Sequence, residues 1–260
     1  MILIELMGGL GNQMFQYAFG RRLSIDLQCE LYINSNSLNN FDTIRTLELD
    51  YFNTHFKIAN HKINKIFINN KFDLFNRLIL SVSSLGKYKK IKEDNFKDYK
   101  KMPIRNNTYY KGYFQHEEYF NSIKEILVHD FALAKPLDRI NQNLVNQFKK
   151  EDSVFVHIRR GDFLTSNGYH KVYDKIYYEQ AINQIMKEKD ISLQFYFFSD
   201  DINWVQQNFI AENYHYITHN IADESYKDLV LMSNCKYAIF GNSTFAWWAN
   251  WLRENKKDES

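Results

Sequence analysis

The first 33 residues constrain the fold more than any other part of the chain. An apolar run at Ile2–Leu6 leads through a glycine-rich loop, residues 8–13, into a segment with helical periodicity, Gln13–Leu27. A second short apolar run follows at Leu31–Ile33. Strand, loop, helix and strand in this order are typical of the start of a parallel, doubly wound sheet. We therefore predict an α/β protein.

After Pro136 a connecting helix is predicted at Asp138–Lys150, and a second α/β series begins with a strand at Val154–Ile158. Residues 55–100 carry no sharp signal, and we expect helices and loops there. Two Rossmann-like domains follow from this pattern, residues 1–140 and 141–260, facing a cleft of the kind in which such folds bind ligands. The further elements predicted in the second domain are strands at 154–158, 193–198, 214–217 and 237–240 and helices at 177–187, 203–208, 225–233 and 244–252.

Charge and composition exclude several classes of function. The net charge is +2 and no face is rich in Lys and Arg, so we expect no nucleic-acid partner. The N-terminus has no signal-peptide pattern and no stretch of about 18 apolar residues occurs, so the protein is expected to begin at Met1 and to be cytoplasmic. The sequence also has no GxSxG, HExxH or D-x-D motif and no zinc spacing of His and Cys, so we expect no metal.

The glycine loop is the first candidate ligand site. Gly9 and Gly11 let a backbone approach a ligand closely, and the start of the following helix offers N–H groups to an anion. The simpler interpretation is a tight turn with Asn12 as the helix N-cap. An NAD-binding interpretation is weaker, because Met14 stands where a third glycine is needed and Asn34 where an acidic residue is expected.

The second candidate site follows the predicted strand at 154–158, where the sequence reads His157, Ile158, Arg159, Arg160, Gly161 and Asp162. Two guanidinium groups at the end of a buried strand suit a phosphate, because each presents a planar fork of donors. An internal ion pair between Arg160 and Asp162 would explain one arginine. Arg159 would then still need a partner, and we expect a phosphate.

Two further strand ends complete the pattern. Asp200 and Asp201 precede a helix, and one of them is expected to cap it while the other is free to accept the two adjacent donors of guanine. Ser243 and Thr244 begin another helix, either as its ordinary N-cap or as hydroxyls that contact a second edge of a phosphate. Together the four loops predict a nucleoside diphosphate site.

Five segments resemble glycosyltransferase family 11, the α-1,2-fucosyltransferases. They are GGLGNQMFQYA at the N-terminus, GYFQHEEYF at 112–120, VHIRRGDF at 156–163, FFSDD at 197–201 and DLVLMSNC with GNSTFAWWANWL between 228 and 252. They occur in the family's order and cover nearly the whole chain. The resemblance implies a GT-B-like fold, GDP-β-L-fucose as donor, inversion at the anomeric carbon, and neither metal nor cofactor.

The resemblance also implies roles for individual residues. Arg159 should hold the β-phosphate, His157 and Asp200 should lie near the guanosine, and Asn12 should reach the phosphate or sugar. The acceptor is expected to be a galactose-containing oligosaccharide, a terminal β-galactoside of a surface polysaccharide, fucosylated at its 2-hydroxyl. The predicted catalytic residues are Arg159, Asp162 and Asn12, and the predicted acceptor residues are Gln115 and His116. The candidates for the general base are Asp162, Glu5 and His116. The predicted donor-binding residues are Gly9, Gly11, Gln13, His157, Arg160, Asp200, Asp201, Ser243 and Thr244.

Two positions depart from the family pattern. Phe163 stands where many members have Tyr, and the chain ends soon after the last motif in a charged tail, 253–260, so the second domain is expected to be shortened. A transferase that uses another GDP-sugar and a GDP-binding protein without activity remain alternatives, while an NAD-dependent oxidoreductase would explain the first loop alone. Peripheral contact with a lipid-linked glycan at the inner face of the membrane is left open.

Overall fold

The computed structural model describes residues 1–39, 45–61, 63–64, 89–95, 101–161, 173–189 and 191–256. The chain divides into two compact units, Met1–Ala134 and Lys135–Ser260. The division falls shortly before residue 140, where the sequence analysis places it. Each unit contains its own parallel sheet with helices, so the α/β prediction is confirmed.

The first unit contains a five-stranded sheet in which every pair of strands is parallel. The strand order is β3-β2-β1-β5-β4, and β1 in the centre is buried along its whole length. Helix α1, Leu10–Asp26, packs closely on this sheet, because a Cβ added at Gly20 would lie 2.6 Å from Cγ1 of Ile4. The strands are β1 Ile2–Glu5, β2 Leu31–Asn34, β3 Lys57–Ile58, β4 Lys89–Lys92 and β5 Thr108–Lys111, and a second helix, α2, spans Lys124–Asp130.

Two predictions for this unit need correction. Helix α1 begins at Leu10 with Gly9 as its N-cap, so Asn12 lies in the first turn and is not the N-cap. In addition, β3 and β4 fall within residues 55–100, for which helices and loops are predicted, and β5 has no predicted counterpart. Both β3 and β4 are short and Lys-rich, so they lack the apolar run that identifies a strand in a sequence.

The second unit contains a four-stranded parallel sheet in the order β8-β7-β6-β9. Its elements agree with the predicted ones to within three residues at each end, because buried strands are continuous apolar runs and the helices between them are clearly bounded. The strands are β6 Asp152–Ile158, β7 Leu193–Ser199, β8 Tyr214–Tyr216 and β9 Tyr237–Phe240, and the helices are α3 Arg139–Lys150, α4 Lys175–Lys189, α5 Ile202–Asn208, α6 Ser225–Met232 and α7 Thr244–Asn255.

Alternation along β6 sorts its side chains between two faces. Val154, Val156 and Ile158 belong to a buried cluster with residues of β7, α4 and α5. Phe155 and His157 face the opposite side, since successive side chains of a strand point to opposite faces. There Phe155 stacks on Phe240, with ring centroids 5.9 Å apart. This packing holds the carboxyl end of β6 firmly and so fixes where the arginines that follow it begin.

None of the helices within the described residues is both long enough and apolar enough to cross a membrane.

Candidate functional site

The predicted donor residues of the second unit follow three adjacent strands. Strand β6 lies between β7 and β9, and all three run in the same direction. Their carboxyl ends therefore lie along one edge of the sheet, where open α/β sheets bind ligands. The residues that follow these ends are Arg159 and Arg160 after β6, Asp200 and Asp201 after β7, and Ser243 and Thr244 after β9.

The two arginines are paired with the two aspartates. Arg159 Nε lies 3.1 Å from Asp200 Oδ2, and Arg160 Nε lies 3.2 Å from Asp201 Oδ2. The backbone N–H of Arg160 also donates to Asp200 Oδ1 at 2.8 Å. The Arg160 guanidinium lies over the Trp204 ring, with its central carbon 3.7 Å from the ring centroid. Neighbouring strand ends thus share two ion pairs, and the β6 loop is tied to the β7 loop.

These contacts correct the prediction for Asp200 and give Arg160 a partner that was not predicted. Asp200 is not free, because it forms an ion pair with Arg159 and accepts the backbone N–H of Arg160. Arg160 pairs with Asp201, and the expected partner, Asp162, lies outside the described residues. The predicted cap is confirmed, since Asp201 Oδ1 accepts the Trp204 N–H at 3.3 Å at the start of α5.

Gly161 brings the two loops close together. A Cβ placed there would lie 2.7 Å from Asp200 Oδ2, so a larger residue would push the carboxylate away. The absence of a side chain at Gly161 thus leaves room for the Asp200 carboxylate beside the backbone of the β6 loop. Gly161 belongs to the sequence motif that follows β6, where no role was predicted for it.

His157 is a buried, neutral imidazole at the end of β6. Burial, and then the positive charge of Arg159, lower the pKa of His157 to about 3. Its Nδ1 has no hydrogen-bond partner among the described residues, and its ring lies 5.8 Å from that of Phe245. A neutral imidazole beside Arg159 adds no charge to the site and offers it one donor and one acceptor.

The start of α7 follows β9. Ser243 is the N-cap, and its Oγ accepts the Ala246 N–H at 3.4 Å, so the ordinary capping interpretation holds for this residue. Thr244 is the first helical residue and is half-buried. The first N–H groups of a helix lack intrahelical acceptors and carry partial positive charge. This helix end can therefore accept an anion at the same edge of the sheet as Arg159.

Asp228 is a candidate site residue that the sequence analysis missed. Its Oδ1 accepts a hydrogen bond from Asn220 Nδ2 at 2.7 Å, and Asn220 follows β8. Asn220 also donates to the buried Asn141 of α3, at 2.9 Å. Burial raises the pKa of Asp228 to about 7, with a smaller contribution from Glu224. An acidic residue in a helical segment gives no sequence signal for this environment, although it opens the family motif DLVLMSNC.

The raised pKa predicts a pH-dependent cost of folding. Between pH 4 and 7 the folded chain holds a proton on Asp228 that the unfolded chain releases, so stability falls as pH rises through this window. Asp228→Asn should remove that cost. At pH 8 we expect the ligand-free variant to gain stability on the order of 2 kcal/mol, with no gain at pH 4. Denaturant titration at both pH values is the measurement, with the exposed Asp223→Asn as control, and an equal gain at both would contradict the assignment.

In the first unit the glycine loop and the acceptor segment lie together. The Asn12 side chain accepts a hydrogen bond from Gln115 Nε2 at 2.8 Å. Gly8 has φ +76°, and a Cβ there would lie 2.4 Å from Asn12 Nδ2, so glycine is required for both reasons. The structure thus joins a predicted catalytic residue to a predicted acceptor residue. Gly9 and Gly11 lie beside them, at the N-cap and in the first turn of α1.

The segment that presents Gln115 is rigidly held. Glu93 Oε2 accepts the N–H groups of Tyr113 and Phe114, each at 2.8 Å. Phe114 has φ +53° and stacks on Phe19 with ring centroids 4.1 Å apart. The backbone is therefore fixed on both sides of the turn, and Gln115 and His116, which follow it, are exposed.

Two predicted residues have structural partners instead. Gln13 is fully buried, and its amide donates to the carbonyls of Gly8 and Thr46 and accepts the Glu48 N–H. Its side chain therefore links the glycine loop to the segment at residues 46–48. Glu5 is buried at the end of β1, with Oε1 bonded to Ser37 and 3.0 Å from Lys111 Nζ. A carboxylate held in this way is a weak candidate for a general base.

Arg45 is a second residue that the sequence analysis missed. Its Nη1 lies 3.8 Å from the position that a Cβ at Gly9 would occupy. A guanidinium therefore stands next to the N-cap of α1, where it adds positive charge to that of the helix end. No motif surrounds Arg45 in the sequence, so its position beside the glycine loop could not be predicted.

Comparison with known proteins agrees with this arrangement. The model of glycosyl transferase family 11 matches residues 1–257. The chain belongs to this family. The motifs that carry the resemblance in the sequence are thus part of a similarity that spans both units.

Two relatives from Escherichia coli are similar over most of the chain. The O-antigen biosynthesis glycosyltransferase WbnK is 32% identical, with 95% of this chain and 88% of the relative covered. An alpha-1,2-colitosyltransferase is 30% identical, with 97% of this chain and 87% of the relative covered. Glycosyl transfer is therefore shown at the level of the family, whereas the two relatives differ in the reactions for which they are named.

Solved structures show the same fold at low identity. The fucosyltransferase NodZ from Bradyrhizobium is 12% identical with a TM-score of 0.52, over 96% of this chain and 92% of that one. POFUT1 in complex with GDP-fucose is 10% identical with a TM-score of 0.50, over 99% of this chain and 94% of that one. Both are GT-B-like, and the predicted GT-B-like class is confirmed.

Proposed function

We propose that this protein transfers L-fucose from GDP-β-L-fucose to the 2-hydroxyl of a terminal β-galactoside, with inversion and without a metal ion. The observation that carries the proposal is the carboxyl edge of the second sheet, where Arg159 follows β6 and the N-terminus of α7 follows the adjacent strand β9. The chain that carries this edge belongs to a family of glycosyltransferases. A diphosphate is the leaving group of a GDP-sugar, and this edge offers it a guanidinium and a helix N-terminus.

The chemistry of the step explains why these groups matter. When the bond between fucose and phosphate breaks, negative charge grows on the diphosphate and the sugar gains oxocarbenium character. We propose that Arg159 and the N–H groups at the start of α7 stabilise this charge, because both follow adjacent strands at the same edge of the sheet. The acceptor hydroxyl attacks from the opposite face and loses its proton.

His116 and Asp162 are the two proposed candidates for the general base that takes the proton of the acceptor hydroxyl. Glu5 is the weaker candidate because Lys111 and Ser37 hold its carboxylate. His116 is exposed beside Gln115, in the segment assigned to the acceptor. Asn12 is proposed to act beside them, on the phosphate or the sugar, since its hydrogen bond with Gln115 links the glycine loop to that segment.

A second donor deserves a direct test, because one relative is named for colitosyl transfer. Colitose is fucose without its 3-hydroxyl, so the two GDP-sugars differ by one polar group. We propose GDP-fucose as the preferred donor and GDP-colitose as the alternative. Since the other relative takes part in O-antigen biosynthesis, a galactose-containing repeat of a surface polysaccharide is the proposed acceptor.

Donor competition distinguishes these possibilities. The full chain is incubated with equal amounts of GDP-fucose, GDP-colitose and GDP-mannose and a panel of β-galactosides, and the mass of each product is measured. The proposal expects the fucosylated product to dominate. Dominance of the colitosylated product would transfer the proposal to the second donor, and binding of GDP without any product would favour a protein that has lost activity.

Transfer should persist when divalent metals are removed, since the sequence has no D-x-D motif and the guanidinium of Arg159 is proposed to replace a cation. Initial rates are measured in excess EDTA and again after addition of Mn²⁺ or Mg²⁺. We expect rates to agree within about twofold, which corresponds to about 0.4 kcal/mol in the barrier. Loss of activity in EDTA at a temperature at which the metal-free chain stays folded, with recovery on adding Mn²⁺ or Mg²⁺, would contradict the arginine-based account.

The site should select guanine, and two carboxylates compete for that role. Asp200 is bonded to both arginines, whereas Asp228 is a buried carboxyl held by Asn220 next to the end of β8. GDP should bind more tightly than UDP or ADP, and an Asn replacement of the residue that reads the base should reduce this preference roughly 10-fold or more, because an amide cannot accept two donors equally well.

Calorimetry on Asp200→Asn and Asp228→Asn decides between the two. If Asp200 reads the base, only the first variant loses the preference for GDP over UDP. If Asp200 keeps its ion pair with Arg159 when the nucleotide binds, Asp228→Asn is the variant that loses the preference for GDP over UDP. Equal affinity of the unmodified protein for GDP and UDP would exclude both assignments.

A further inference from the structure

A group of potential metal ligands lies in the first unit, apart from the residues assigned to donor and acceptor. His55, His129 and Asp130 each offer one ligand atom, and these three atoms lie within 4.8 Å of one another. Asp130 Oδ1 is 3.7 Å from His55 Nε2 and 3.8 Å from His129 Nδ1. The two imidazoles therefore converge on the same carboxylate oxygen.

The carboxylate of Asp130 is oriented by bonds to its other oxygen. Oδ2 accepts hydrogen bonds from the Tyr17 hydroxyl at 2.6 Å and from Arg21 Nε at 2.8 Å, and the residue is only 1% exposed. Tyr17 in turn accepts the backbone N–H of His55 at 3.0 Å. Outer hydrogen bonds of this kind orient the ligands in protein metal sites, and here they direct Oδ1 towards the imidazoles.

The two histidines remain accessible and adjustable. Their side chains are 58% and 74% exposed, so an ion can reach them directly from solvent. Zinc takes ligands at about 2.0–2.2 Å, which places tetrahedral ligands about 3.3 Å apart. The separations in the structure, 3.7 and 3.8 Å to Asp130 Oδ1, are slightly longer than this, so the two exposed imidazoles would have to move closer to the carboxylate when an ion binds.

We propose that His55, His129 and Asp130 form a binding site for a divalent transition metal, with Zn²⁺ as the best match. Two imidazoles and a carboxylate are ligands that zinc accepts, whereas Mg²⁺ and Ca²⁺ prefer oxygen ligands alone. Three protein ligands leave a fourth position for water.

The position of the site indicates a structural role. His55 and His129 lie on two segments that are already paired by backbone hydrogen bonds, from Asn53 N–H to the Ala132 carbonyl at 2.9 Å and from Ala134 N–H to the Tyr51 carbonyl at 3.0 Å. An ion would add a link between these segments at the end of the first unit. It would stabilise that unit without taking part in sugar transfer.

Zinc titration of the full chain, without an affinity tag and after treatment with chelator, tests the site. Calorimetry should show one ion per chain, and a zinc concentration about 100 times the Kd should raise the Tm by about 5 °C. His55→Ala and His129→Ala should each weaken binding at least about 10-fold and abolish the shift. Both side chains are exposed, so both variants are expected to fold.

The exposed His61→Ala is the matched control and should bind zinc like the unmodified chain. The proposal is overturned if the unmodified chain binds zinc no better than millimolar, if either variant of the proposed ligands keeps full affinity, or if the control loses affinity to the same extent. Co²⁺ in place of Zn²⁺ gives a visible absorption band when bound in a tetrahedral site, and this band should vanish in both ligand variants.

Discussion

Arg159→Ala is expected to lower kcat by about 10² to 10³ while the chain still folds, because removing one preorganised donor at a developing charge costs about that much. The guanidinium should bind the diphosphate more strongly as the fucosyl bond breaks, so its contribution is larger in the transition state than in the bound substrate. The value of kcat should therefore fall together with kcat/KM.

Folding should survive because the ion pair of Arg159 is partly solvated. The Arg159 and Asp200 side chains are 28% and 24% exposed, and ion pairs near the surface contribute only about 0–1 kcal/mol. Arg159→Lys should recover part of the activity, since an ammonium keeps the charge and loses the planar fork. Steady-state kinetics and Tm are measured on both variants, and an active or an unfolded Arg159→Ala would remove the residue from the mechanism.

Arg160→Ala is expected to have the opposite pattern, with a loss of stability of about 1–2 kcal/mol. Its guanidinium lies over Trp204 and pairs with Asp201, which also caps α5. The side chain is 17% exposed, so the alanine variant loses packing as well as charge.

Denaturant titration measures that loss, and turnover at a temperature at which the variant is folded gives the comparison with Arg159→Ala. We expect turnover to fall by less than about 10-fold, a change of under about 1.4 kcal/mol in the barrier. A stable Arg160→Ala with kcat reduced as far as in Arg159→Ala would show that the two arginines share one role.

The elements of the second unit could be predicted because each buried strand there is a continuous apolar run. Strands β6, β7 and β9 all stand at the predicted places. The strands of the first unit are harder to predict from the sequence, because β3 and β4 are short and polar and are recognised only by their pairing with β2 and β5. Strand pairing is a property of distant residues, and periodicity reports only local ones.

The candidate site was predictable in its residues and less so in its contacts. Arg159, Asp200, Asn12 and Gln115 were all predicted from the sequence as site residues. The sequence did not predict that Arg159 pairs with Asp200 or that Asn12 pairs with Gln115. Asp228 was missed because its raised pKa comes from burial, which the sequence of a short helix does not reveal. The group of His55, His129 and Asp130 was missed because His55 is separated from the other two by a long stretch of chain.

Analysis of the reaction product tests the central claim most directly. The full chain is incubated in EDTA with GDP-β-L-fucose and a terminal β-galactoside, and the product is examined by mass spectrometry and NMR, with Arg159→Ala in parallel. The account predicts one fucose per acceptor, attached by an α-linkage to O2 of galactose, and almost no product from the variant. A product with retained β-configuration, attachment at another hydroxyl, or release of free fucose without any transfer would contradict it.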